Sequence, residues 1–260
     1  MDNQIRYGRQ NFYGVHMALH NIRTIFLVVC AAGLTIIGCA STAPPRIEAP
    51  SGAIQEPSKH FWWYARFRMD WPAGHSPEWA TDLLLADGVV EPVLASHRSD
   101  IPLWRFHRCA LRDNSGHQFS FIFFTNRKTA GQVFEQLRAS RVLHELQKNG
   151  MVRKFLVDNV NGARPTAISA TSDKNWSKPL QQAWPHYIMG VSAMWLSLIN
   201  QVAAKSAFTG DGGTDLIAEY RKINEKITLI WRNEAEHALF HHLNALFGYE
   251  PLNLQMKVRF

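Results

Sequence analysis

From Ile25 to Gly38 the chain runs for 14 residues without a charge (IFLVVCAAGLTIIG), and Cys39 follows. As a helix this run spans about 21 Å at 1.5 Å per residue, short of a ~30 Å hydrocarbon core. Upstream, residues 1–23 are polar and set Arg6, Arg9 and Arg23 against Asp2. A basic stretch followed by a short apolar run reads as a secretory signal peptide, residues 1–38, with Met1 or Met17 as its start. This reading constrains the fold more than any other, because it takes 38 of the 260 residues away and leaves 222 to build the product. With three Arg and one Asp gone, the formal charge falls from +7 to +5. Nine Trp and an ordinary apolar share of 46% supply a core without low-complexity or coiled-coil character.

The run closes on Ile36-Ile37-Gly38-Cys39, followed by Ala40-Ser41-Thr42. This resembles the bacterial lipoprotein signal, in which aliphatic and small residues precede the cysteine that receives lipid. The resemblance implies a diacylglyceryl group on Cys39, cleavage before it, and acylation of the new amino terminus. Ala40 in place of aspartate implies the outer membrane, with the protein facing the periplasm. Several acyl chains hold a protein far better than one. Residues 39–59, Pro-rich from Pro44 to Pro57, suit a flexible tether. Cys30 leaves with the signal and Cys39 is lipidated, so Cys109 is the one free thiol and the core must hold without a disulfide.

From His60 the pattern becomes regular. Phe61 to Met69 is aromatic-rich and partly alternating, which reads as a strand. Ser76-Pro77 opens a helix, with Trp79, Leu83, Ala86, Val90, Val93 and Leu94 at helical spacing. Strands over Leu103–Arg112 and His117–Thr125 flank Asp113-Asn114-Ser115-Gly116, a hairpin signal. A helix over 128–148, ended by Gly150, and a strand over 151–157 follow. The order over 60–158 is β-α-β-β-α-β, so the expected fold class is α+β, a ferredoxin-like split sheet. Residues 159–176 read as a linker. Residues 177–260 read as a long antiparallel helical hairpin packed on the sheet, its turn near Asp211.

Two constellations can carry chemistry. Side chains alternate faces along a strand, so Arg66 with Arg68, Arg105 with His107, and Gln118 with Ser120 form one polar sheet face. Arg forks on that face suit a carboxylate or phosphate. Glu234, His237 and His241 share one side of the last helix at spacings of three and four. Glu234 and His241 lie within about 20° of the centre of the apolar stripe Leu216–Tyr220–Ile223–Ile227–Ile230–Ala238, which points them inward. Folding the hairpin about Asp211 sets His186 opposite Glu236 and His237. That set fits a transition metal such as zinc, and it equally fits a hydrogen-bonded core histidine cluster. Neither long helix has a Lys/Arg-rich face, which argues against nucleic acid.

Several short motifs in order resemble the C-terminal domain of lantibiotic dehydratases and thiopeptide-type bacteriocin biosynthesis proteins. They are the Trp-rich strand Phe61–Phe67, the helix end Val89–Leu94, the strand Leu103–Arg108, Gly116-His117-Gln118-Phe119, and Phe240–Gly248. In that family the domain eliminates glutamate from glutamylated Ser/Thr of a peptide. Here the family's last-motif histidine falls on Phe240 and its arginine on Ala245, and Phe119 and Phe121 replace two further arginines. The resemblance therefore implies a peptide-holding scaffold without that reaction. The leading functional expectation is a lipoprotein that binds or assembles with an acidic peptide, a protein partner or another anionic ligand. The others are a metal-assisted hydrolase or lyase, and a purely structural lipoprotein.

Overall fold

A computed structural model of the chain describes residues 59–112, 116–205 and 213–249. The signal peptide, Cys39, the tether up to residue 58 and the hairpin turn at Asp211 lie outside the described residues. Within them the protein is α+β, a four-stranded antiparallel sheet with five helices. The strands are β1 (Phe61–Met69), β2 (Leu103–Leu111), β3 (Gly116–Thr125) and β4 (Val152–Val157), in spatial order β2-β3-β1-β4. Helix α1 covers residues 79–96, α2 Arg127–Arg138, α3 Arg141–Lys148, α4 Lys178–Ala204, and α5 residues 213–246.

Alternation in β1 decides which side of the sheet becomes core. Phe61, Trp63, Ala65, Phe67 and Met69 face one way and are buried with Phe119, Phe121 and Phe123 of β3. The rings of Phe121 and Phe123 stack at 4.8 Å, and Phe134 of α2 meets Trp63 and Phe123 edge-on. Leu83, Val89, Leu94, Val133 and Leu137 from α1 and α2 close this layer.

Helix α1 is continuous but widens into π turns over Leu85–Val90, just before Pro92, whose ring cannot join the regular i→i−4 ladder. The single helix expected over 128–148 is two helices. Ser140 ends the first and caps the second, its hydroxyl accepting from Leu143 N, so α3 turns to bury Leu143 and Leu146. Gly150, at φ +73°, takes the left-handed conformation that ends α3 and lets β4 begin.

Helix α4 lies along β2 and covers that edge of the sheet. Ser192 fixes the contact: its hydroxyl accepts from Phe106 N at 3.1 Å and donates to Ile188 O at 2.8 Å. An otherwise exposed edge amide is thereby satisfied, and edge-to-edge pairing is blocked. Helix α5 packs on α1 and α4 through Ile217, Tyr220, Ile223 and Ile227, with the Tyr220 phenol donating to Asp87 of α1. Burial, helped by that bond, pushes the Tyr220 pKa well above its ordinary value.

The expected inward stripe stops there. Trp231–Ala235 forms another set of π turns, and none of residues 231–246 is buried. The π turns shift the helical phase, and the helix then runs beyond its packing partners.

Candidate functional site

The strand register brings the predicted sheet-face residues together. Arg66 and His107 both pair with Ser120, and Arg68 and Cys109 both pair with Gln118. Arg105 is opposite Ile122, which is opposite Tyr64. All six candidates, Arg66, Arg68, Arg105, His107, Gln118 and Ser120, therefore share the face away from α1 and α2.

Segment 159–177 crosses one half of that face. Trp62, on the same side, is buried against Leu103, Ile122 and Phe124, and its indole donates to Ala167 O and Ile168 O, each at 3.1 Å. A 3-10 turn over Ile168–Thr171 is held over the sheet this way. The other half of the face, around Arg68, His107 and Lys154, stays accessible.

The charges on this face are unevenly matched. Asp158, buried at the end of β4, accepts from Tyr64 N at 2.9 Å, from Arg66 Nη1 at 3.1 Å and from Arg164 Nη1 at 2.9 Å. The Arg66 guanidinium also stacks over the Tyr64 ring. Arg66 is thus fixed in place, sharing the single carboxylate of Asp158 with Arg164.

Arg68 reaches only neutral groups: its Nε donates to Gln118, whose amide donates to the Ser120 hydroxyl. Across the β1–β4 pair it is opposite Lys154, a like-charge pairing that costs stability. Arg105 donates through Nη2 to Thr171 O at 3.4 Å, while its Nε is buried without a hydrogen-bond partner. Among the described residues neither Arg68 nor Arg105 forms an ion pair.

Burial pushes the Arg105 guanidinium below its ordinary range, with partial compensation from Tyr64. Burial, and then the charge of Arg105, push the His107 imidazole below its usual 6.5 and so keep it neutral at pH 7. The face is a partly desolvated cationic surface with hydrogen-bond donors beside it, and a carboxylate or phosphate would relieve both arginines.

A second polar cluster lies on the opposite, helix-covered face. Asp82 of α1 is fully enclosed and receives Arg108 Nε at 2.7 Å, and His117 Nε2 lies 3.0 Å from its other oxygen. His117 is equally enclosed, with Trp79 edge-on at 4.9 Å. Sequence reasoning passed over Asp82, Arg108, Asp158 and Arg164. One signal was present: Arg108 shares strand parity with Trp104 and Phe106, so it had to enter the core face and required a carboxylate there.

The metal candidates are not brought together. Glu234, His237, His241 and His186 are all exposed, not inward-facing as helix phase suggested. His237 and His241 stack their rings at 5.8 Å, but among the described residues no group of three or more His, Cys, Asp or Glu is placed to hold a metal ion. For Glu234, His237 and His241 the cause is the π turn at Trp231–Ala235, which carries them past the end of the packed stripe; His186 lies on the exposed side of α4.

The chain matches no protein-family model, and no curated protein matches it either.

Proposed function

We propose that this protein is a binding or assembly module that holds an acidic peptide, or a comparable anion, on the sheet face bearing Arg66, Arg68, Arg105, His107, Gln118 and Ser120. The frame is read as ferredoxin-like, in keeping with the β-α-β-β-α-β order and the antiparallel arrangement β2-β3-β1-β4. The signal reading of residues 1–38 makes it a lipoprotein, joined through Cys39 to the periplasmic side of the outer membrane. The observation that carries the binding proposal is Arg105, a guanidinium largely withdrawn from water with a buried Nε and no carboxylate partner. A cation in that state gains from an anion, because a bound carboxylate replaces the lost hydration with charge-assisted hydrogen bonds. Arg68, facing Lys154, gains in the same way. Arg66 and Arg164 act differently: both are held by the one carboxylate of Asp158, and they shape the wall of the site.

The test is a titration with a fluorescent Glu-rich peptide. The expected result is saturable binding that weakens with added salt, as an interaction at a half-open face should. Replacing Arg68 and Arg105 together by Gln should raise the Kd at least tenfold, about 1.4 kcal/mol. Arg138→Gln, an exposed change on α2, should leave it unaltered. Equal affinity for all three proteins, or no saturable binding, would remove the proposal.

A further inference from the structure

A cleft of about 430 Å³ opens between α4 and α5 along the edge strand β2, lined there by Phe106, His107 and Arg108. That volume falls in the range of small-molecule sites. Its walls are apolar: Ile188, Val191, Trp195 and Leu198 from α4, and Ile227 and Trp231 from α5. Among the described residues no Asp or Glu lines it; Arg108 does, with His107, Ser192, Asn224 and Thr228 as its other polar groups.

Arg108 is unusually well fixed. Its Nε is held by Asp82 at 2.7 Å, its Nη2 donates to Trp79 O at 3.3 Å, and its guanidinium lies over the rings of Trp79 and Trp195 at 4.8 and 5.0 Å. Nη1 has no hydrogen-bond partner among the described residues, and 29% of the side chain is exposed. The enclosed His117 lies with its Nε2 3.0 Å from the other Asp82 oxygen, and neither atom has a hydrogen-bond partner among the described residues. The result is a preorganised fork with a free end, set in an apolar slot.

From this geometry we infer that the cleft binds a long-chain carboxylate, with the acyl chain between α4 and α5 and the carboxylate on Arg108 Nη1. The head group is selected by the Arg108 Nη1 donor, which the ion pair of Nε with Asp82 leaves without a hydrogen-bond partner among the described residues. The apolar walls select the chain, because aligned Val, Leu, Ile and Trp surface gains free energy with each methylene it removes from water. A rigid cation also spares the ligand the entropy of ordering it. This site meets the sheet face at His107, which lines both, but its inference does not rest on peptide binding there.

The experiment is calorimetric titration of the full chain with decanoate, dodecanoate, dodecanol and dodecyltrimethylammonium, all as monomers below their aggregation limits. Dodecanoate should bind one per chain, about tenfold or more tighter than dodecanol, while the ammonium should not bind. Decanoate should bind more weakly than dodecanoate, each methylene being worth about fourfold. Arg108→Gln should abolish the preference for acid over alcohol. Because that change also strips Asp82 of a partner, Val191→Trp serves as the independent variant: it fills the mouth at a half-open position and should abolish binding of acid and alcohol alike.

Equal binding of dodecanoate and dodecanol would overturn the inference, and so would an unaffected Val191→Trp protein. No saturable dodecanoate binding would do the same, including the case where an apolar peptide binds instead.

Discussion

Replacing Asp82 by Ala should lower the free energy of unfolding by about 3–5 kcal/mol, the usual cost of removing one partner from a buried charge pair. Asp82 is wholly enclosed by α1, β2 and β3, and two groups point at it, Arg108 Nε and His117 Nε2. Without the carboxylate, the Arg108 charge stays on the helix-covered face with only the Trp79 carbonyl and two indole rings to receive it. An alternative is that Arg108 swings out to water through the cleft. That relaxation would reduce the loss but expose Trp79 and Trp195. Asp82→Asn keeps the volume and one acceptor and should cost less, about 1.5–3 kcal/mol for a hydrogen bond to a charged group. Urea unfolding checks both, read as a lower midpoint at constant slope. A loss under 1 kcal/mol for the Ala variant would mean that the cluster is solvated and does not organise the core.

Trp62→Ala should have a comparable effect by another route. The side chain is 1% exposed and packs on Phe124 at 5.1 Å, so truncation leaves a cavity worth about 3–5 kcal/mol. It also releases segment 159–177, because the indole holds Ala167 O and Ile168 O. Trp62 N to Pro165 O, Arg105 to Thr171 O, Arg164 to Asp158, Arg127 to Gly162 O, Ser172 to Gln181 O, and Gln181 to Lys174 O and Trp176 O would remain. Trp62→Phe separates the two roles, since it keeps most of the packing and loses the donor. Limited proteolysis should therefore cut within 165–171 fastest in Trp62→Ala, more slowly in Trp62→Phe and slowest in the parent protein. Cutting at the same rate in all three would mean that the segment is held by its backbone alone.

The contrast between these residues shows what could be read from the chain in advance. The strands were legible because Phe61–Met69 and His117–Thr125 alternate over long runs and a turn signal separates β2 from β3. Alternation alone also placed Arg66, Arg68, Arg105, His107, Gln118 and Ser120 on one side, and the register pairs them as expected.

Partners distant in sequence were not legible. Asp158 follows its strand as an ordinary loop acid, and its role as counter-ion to Arg66 and Arg164 depends on contacts 92 residues away for Arg66. The segment after it looked like a spacer by composition, yet one tryptophan turns it into a wall of the site. Helix phase failed where α5 changes its winding at Trp231, because a π turn carries no composition signal that distinguishes it from α-helix. The histidine cluster was extrapolated through that point, and the extrapolation turned it inward where the structure turns it to solvent.

Cys109 offers the most direct view of the proposed ligand. It is opposite Gln118 on the polar face, two residues from His107, and it is a half-buried free thiol, the only one among the described residues. The measurement is its alkylation rate by a small neutral maleimide, with and without saturating Glu-rich peptide. The account predicts that the acidic peptide slows the reaction severalfold and that a Lys-rich peptide of equal length does not. An unchanged rate with the acidic peptide demonstrably bound would place the ligand elsewhere and contradict the assignment of this sheet face.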